Sequence, residues 1–354
     1  MRIGINTRLL QEKYSTGIQN YIVNLYQAIN SIDKKNEYLF LNSSHGNGLL
    51  RNAVFDNFLI SRQIKKLKID ILHAPNSVLP LGPKKCRYLA TVHDLGFKVL
   101  PQLGRKMEVF YYEAVFKNMV KKADLIISDS FSVKKEMMKY YPISESRLQV
   151  VPLGVDRFYL IKEKKDYLTN IKKKYHLNNK RIIFLNSAHS PRKNIDTIVK
   201  LFIKNQKRIS NTTLVICGAI GKTTFQSLIR AQNKNITVLG YITKKEMRAF
   251  YQIADLFLYP SLYEGFGLSI LEAMASGCLV LASNIAAFRE IITNEEFLFD
   301  PLKPTDIYEK IKHYLNIKSS ARESFSCLCQ KTLKKFSWQE AARKMVNIFN
   351  SLKT

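Results

Sequence analysis

Two glutamates at a fixed offset, Glu264 and Glu272, sit in the run Tyr259-Pro-Ser-Leu-Tyr-Glu264-Gly-Phe-Gly-Leu-Ser-Ile-Leu-Glu272-Ala-Met-Ala-Ser-Gly277. The pattern predicts a strand ending at Tyr259, a loop forced by Pro260 and Gly265, and a helix starting near Gly267 or Leu268. Glu264 then stands in the loop and Glu272 about one turn inside the helix. Carboxylates accept hydrogen bonds from hydroxyls. The amides of Phe266, Gly267 and Leu268 at the helix start suit a phosphate. Together they suit a sugar joined to a nucleoside diphosphate. The plainer alternative makes Glu272 an exposed helix residue and Glu264 an ordinary loop charge. A second cluster, Ser190-Pro191-Arg192-Lys193-Asn194, places two cations at a strand-to-helix turn of the same half-chain. Arg offers a fork and Lys a point charge, so the pair reads as a phosphate clamp or, more plainly, as two solvated cations. A third, Val92-His93-Asp94-Leu95, ends a strand in the first half, and Gly17 opens the first helix, where its backbone can approach a ligand closely.

These residues need a frame to hold them. Strands are expected at 2–6, 37–41, 70–73, 87–92, 124–128 and 148–151, then at 181–187, 212–217, 236–239, 255–259 and 278–282. Helices are expected at 17–30, 62–68, 104–122, 133–140, 195–206, 244–253 and 268–276. Strands alternating with such helices specify parallel sheets covered on both faces. Two series of them imply two doubly wound α/β domains facing across a cleft. The charged run Lys162-Glu163-Lys164-Lys165-Asp166 marks the join, expected at 160–166. Thr243-Lys-Lys-Glu246 and Ser337-Trp-Gln-Glu340 read as capping boxes. From Trp338, the only tryptophan, Ala341, Ala342, Met345, Ile348, Phe349 and Leu352 trace one helical face.

The 354 residues carry 46% hydrophobic and 11% aromatic side chains, which excludes a disordered or fibrous chain. Five scattered cysteines suit buried thiols of a reduced compartment, and Cys327-x-Cys329 lacks the second cluster a zinc site needs. Fifty-six Lys and Arg against 28 Asp and Glu give a formal charge of +28. That surplus points to nucleic acid, an anionic membrane surface or phosphorylated small molecules, or simply to lysine-rich composition. The charge is spread along the chain with no nucleic-acid motif, so no specific nucleic-acid partner is expected. No run is long and apolar enough to span a bilayer, and the N-terminus lacks a signal-peptide pattern.

Glu264 and Glu272 in Pro-Ser-Leu-Tyr-Glu-Gly-Phe-Gly-Leu, with Pro-Arg-Lys-Asn, Thr91-Val-His-Asp-Leu95 and Val151-Pro-Leu-Gly-Val-Asp156, resemble the retaining glycosyltransferases of family 4. The likeness runs from Ile3 to Phe336-Ser337-Trp338, and its motifs are specific together but weak singly. It implies the GT-B fold. Residues 1–163 would be a Rossmann-like acceptor-binding domain, 164–336 a Rossmann-like nucleotide-sugar domain, and 337–354 a helix crossing back to the first. It further implies that Glu264 holds donor-sugar hydroxyls, that Glu272 binds the ribose, and that Arg192 and Lys193 neutralise the leaving diphosphate. His93 would contact the sugar near the reacting carbon. Gly17, Asp94 and the amides of Phe266, Gly267 and Leu268 would support the donor. Many members end the first strand of the second domain in Arg, where this chain has Ser187, so the charge would rest more heavily on Arg192. With no Asp-x-Asp motif, neither a metal nor another cofactor is expected, and cations with a helix terminus take the metal's part.

The motifs are most like those of bacterial O-antigen and lipopolysaccharide mannosyltransferases. The resemblance thus implies hexose transfer, from GDP-mannose first and a UDP-sugar as the alternative, to a lipid-linked or polysaccharide glycan. The expected location is the cytoplasmic face of a membrane, held peripherally. Residues 104–122 would supply the contact with anionic lipid through Arg105, Lys106, Lys117, Lys121 and Lys122 among interleaved aromatics. The alternative packs those aromatics on the sheet.

Overall fold

The computed structural model describes residues 1–11, 17–42, 54–186, 190–205, 208, 211–218, 235–316 and 319–352. The chain forms two compact units, one of Met1–Gly154 with Phe336–Thr354 and one of Val155–Lys335.

In the first unit, β1 (Arg2–Asn6), β2 (Glu37–Leu41), β3 (Ile71–Ala74), β4 (Arg87–Val92), β5 (Leu125–Ser128) and β6 (Leu148–Val150) form a six-stranded sheet. Its order is β2-β1-β3-β4-β5-β6, and every pair is parallel. The second unit has β7 (Arg181–Asn186), β8 (Thr212–Cys217), β9 (Ile236–Gly240), β10 (Leu256–Tyr259), β11 (Val280–Ser283) and β12 (Leu298–Phe299). They lie in the order β12-β11-β10-β7-β8-β9, again all parallel. Central strands such as Ile182-Ile-Phe-Leu185 and Leu256-Phe-Leu are wholly buried, as strands covered on both faces must be. The expected doubly wound pair is therefore present. β3 sits one residue later than its pattern suggests, and β12, only two residues long, has no pattern to read.

The chain crosses between units earlier than expected. The run 155–163 belongs to the second unit, where Arg248, 5% exposed, binds Glu163 Oε1 through Nε (3.1 Å) and Nη2 (2.5 Å). Arg248 also donates to the Phe158 carbonyl at 2.8 Å and lies 3.9 Å over the Phe158 ring. Glu163 is thus half of a buried ion pair. The expected join at 160–166 is inside the second unit, because charge alone did not make that run a linker.

The helix Trp338–Ser351 returns to the first unit, with Ser337 accepting from the Glu340 amide at 3.2 Å as its N-cap. Its apolar face is buried as predicted, and Trp338 meets the Tyr21 ring at 6.1 Å. Gly154 explains the glycine of Val151-Pro-Leu-Gly-Val-Asp156. A Cβ there would lie 2.0 Å from the Trp338 amide nitrogen, so only glycine lets the two backbones touch. Thr243 and Glu246 form the full capping box of the helix Lys244–Ile253.

Candidate active site

The second unit builds its site from two loops that follow β7 and β10. Pro191–Lys193 is a single 3₁₀ turn ended by Asn194 in the left-handed region (φ +57°), which asparagine tolerates. Asn194 fixes the turn by donating to the Pro301 carbonyl (3.0 Å) and accepting from the Thr197 hydroxyl (2.6 Å). The Leu262 amide donates to the Arg192 carbonyl at 2.7 Å, which stitches the cationic turn to the loop carrying Glu264.

Side chains complete the join. Lys193 Nζ lies 2.5 Å from Glu264 Oε1 and 3.1 Å from the Tyr259 hydroxyl, and Ser261 Oγ donates to the same Glu264 oxygen at 2.8 Å. Burial would lower the pKa of Lys193, but Tyr259 and Glu264 reverse that and carry it upward. Burial and Glu264 raise the Tyr259 phenol. Lys193 therefore holds Glu264 in place, a role the motif alone does not show. An ammonium has three donors, and these contacts use two.

Glu272 corrects the plainer reading. It is 8% exposed, on the helix Leu268–Ala275, and accepts from the Tyr251 hydroxyl at 3.3 Å. Asn186, ending β7, donates in turn to that hydroxyl at 3.4 Å. Burial pushes the Glu272 carboxyl up to about 7, against the pull of Tyr251 and Lys244. Phe266 is buried and Leu268 half-buried, with Gly267 (φ +136°) at the N-cap, where no side chain caps the helix. A Cβ on Gly267 would press within 3.1 Å of Phe288 and Ile291. Ser187 lies outside the described residues.

In the first unit His93 follows β4, and its Nδ1 lies 2.6 Å from Asp129 Oδ2, just past β5. Asp129 is 2% exposed and was not legible in sequence, because only the pairing of β4 with β5 brings it to His93, 36 residues away. Burial lowers the imidazole pKa, but Asp129, helped by Asp94 and the Pro75 backbone, raises it, and the net shift is upward. His93 Nε2 is buried and, among the described residues, has no hydrogen-bond partner. The Tyr21 ring packs edge-on at 4.8 Å and its hydroxyl bonds Thr91 Oγ1 at 3.1 Å. Thr91 in turn meets His73 Nε2 (2.8 Å), whose Nδ1 meets the Tyr26 hydroxyl (2.5 Å). Burial drives His73 down to about 3, so it is a neutral structural histidine.

Asp94 Oδ1 accepts from the Gly96 amide at 2.9 Å and so shapes the turn after β4. Gly17 is the first residue of the helix Gly17–Ile32, and a Cβ there would meet nothing within 4 Å. The expected lipid-facing helix starts at Lys106 rather than 104 and runs to Lys122. Arg105, Lys106, Lys117 and Lys121 are exposed, as are Met107, Phe110, Tyr111 and Tyr112. Lys122 departs from the expected role. Its ammonium is committed to the carbonyls of Pro80 (2.6 Å), Leu81 (2.5 Å) and Gly82 (2.6 Å). Among the described residues no helix is long and apolar enough to cross a membrane.

Comparison with known proteins agrees with this arrangement. The profile of the "Glycosyltransferase Family 4" domain matches residues 38–157 and that of "Glycosyl transferases group 1" matches 168–326. The Escherichia coli O-antigen chain mannosyltransferase B is 26% identical over 294 residues, covering 82% of this chain and 76% of that protein. The serotype-specific mannosyltransferase WbdA of Escherichia coli is 28% identical over 240 residues, covering 65% of this chain but only 29% of its own length. A glycosyltransferase from Rickettsia africae superposes with a TM-score of 0.76 at 19% identity, covering 100% of this chain and 98% of that one, a likeness of fold. The paired parallel sheets, the returning helix and the two matched domains make one assignment: the chain belongs to the GT-B glycosyltransferases, with a family 4 domain followed by a group 1 domain.

Proposed function

We propose that this chain transfers mannose from GDP-mannose, with retention of configuration, onto a lipid-linked or lipopolysaccharide O-antigen glycan. The observation that carries the reading is the Lys193–Glu264–Ser261 contact, which fixes a carboxylate beside a cationic turn in a group 1 glycosyl transferase domain. Glu264 takes hydroxyls of the transferred sugar, and Glu272 takes the ribose. Arg192 and the remaining Lys193 donor balance the charge growing on the leaving diphosphate, with the amides around Gly267 beside them. His93 offers its imidazole to the transferred sugar, and no metal is needed. The O-antigen mannosyltransferases among the relatives favour mannose as the sugar.

The exposed aromatics and cations of the helix Lys106–Lys122 support peripheral docking on an anionic leaflet, with Arg105, Lys106, Lys117 and Lys121 at the headgroups. Transfer from labelled GDP-mannose to an α-mannoside tests the reading, with the product anomer read by NMR and EDTA present. An α-linked product formed in EDTA is expected. Inversion, strict dependence on a divalent ion, or turnover only with UDP-sugars would contradict it. Liposome flotation that ignores lipid charge would remove the membrane part alone.

A further inference from the structure

The first unit contains a second polar cluster that the roles above leave unused. Arg8, just past the carboxyl end of β1, is 9% exposed. Its Nε lies 3.2 Å from Asp56 Oδ2, and Asp56, in the turn Phe55–Leu59, is 3% exposed. Asn6, the last residue of β1, ties both: its Nδ2 donates to Asp56 Oδ1 (3.1 Å) and its Oδ1 accepts from the Arg8 amide (3.2 Å). The guanidinium is thus gripped at Nε. Among the described residues neither Nη nitrogen has a hydrogen-bond partner.

A buried arginine held at one edge, with its fork open, is arranged to donate to a ligand. The carboxyl ends of parallel strands are where ligands of such sheets bind. Charge decides the class of ligand. Asp56 is spent on Arg8, so the pair presents donors without the cationic surplus that characterises the rest of the chain.

We propose that Arg8, oriented by Asp56 and Asn6, is a subsite for an uncharged sugar of the acceptor glycan. It rests on the transferase reading only in naming that sugar an acceptor. The fork donates to neighbouring hydroxyls. A phosphate would find its charge already answered.

Saturation-transfer NMR with α-linked mannobiose as the probe tests this without any donor. The wild type should give a signal, retained in Glu264→Gln. The signal should weaken at least tenfold in Arg8→Lys, which keeps a cation for Asp56 but removes the fork. The double variant Arg8→Met with Asp56→Leu removes both charges together, so no buried charge is stranded, and it too should lose the signal. An unchanged signal in Arg8→Lys and the double variant, no wild-type signal, or displacement of mannobiose by inorganic pyrophosphate would overturn the proposal. If the wild type binds mannobiose but turns over no nucleotide sugar, the transferase reading fails and the subsite stands.

Discussion

The two units share a parallel six-stranded design but assemble their polar sites differently. In the second unit the candidate site lies on two loops that the Leu262–Arg192 backbone bond fastens together, with Lys193 bridging to Glu264. In the first unit the polar groups come from segments far apart in the chain: strand order brings the ends of β4 and β5 together, and a helical turn meets the end of β1. His93 meets Asp129 and Arg8 meets Asp56, each pair from separate elements. The second unit is therefore expected to fail locally when a site residue changes. The first should fail through whatever positions its strand ends.

The largest expected effect is at Glu264. Glu264→Gln keeps a partner for Ser261 and Lys193 but loses the carboxylate, and should cut kcat about 1,000-fold, the scale of a preorganised electrostatic contact. Nucleotide release measures it, with an unaltered thermal transition as the control. A near-normal kcat would move the reaction away from this loop.

Gly154→Ala tests the first unit at its backbone. The added Cβ would overlap the Trp338 nitrogen, and overpacking against a rigid backbone should cost ~3 kcal/mol in denaturant unfolding. Gly17→Ala is the contrast. With nothing near the new methyl group stability should hold, so a loss of activity would report a ligand that approaches there.

Asp129→Asn should lower kcat about 100-fold, by removing the group that fixes the imidazole tautomer and charge. Because Asp129 is the main group holding the imidazole pKa up against burial, that pKa should fall in the variant, and NMR titration reads this directly. An unchanged titration would make the pair incidental.

The smallest effect concerns Glu272 and carries a sign. Its folded pKa, about 7, is above the unfolded carboxyl value, so the folded chain binds the extra proton between roughly pH 4.5 and 7. Stability from this group is full below that window and is lost as pH rises through it, by ~3 kcal/mol above pH 7. Glu272→Gln should thus be more stable than the wild type at pH 8 and no more stable at pH 4.5. Donor binding runs the other way, because ribose hydroxyls need the carboxylate as acceptor. The same variant should bind donor about 10–100-fold more weakly at pH 8, and wild-type affinity should fall as pH drops below 7.

What the sequence makes legible follows the same divide. Glu264, Arg192 and Lys193 stand out because each lies in a short run whose prolines and glycines announce a loop. The Lys193–Glu264 contact does not, since it depends on how two loops close. Asp129 and the Arg8–Asp56 pair leave no local trace, because tertiary packing, not spacing, unites them: neighbouring strand ends in the first case, a strand end and a helical turn in the second. The join was misplaced for a related reason: Glu163 looks like a solvated linker charge until Arg248 covers it. Lys122 counted as a surface cation until three carbonyls claimed it.

The donor decides the account most directly. Thermal unfolding of the wild type with GDP-mannose or UDP-glucose, each at the same millimolar concentration, reads which ligand the native chain prefers. Saturation at about 100 times Kd stabilises by roughly 2.7 kcal/mol. The account predicts a clear rise in Tm with GDP-mannose, little with UDP-glucose, and a much smaller rise with GDP-mannose in Glu272→Gln. Equal shifts in that variant, or a rise with UDP-glucose alone, would contradict it.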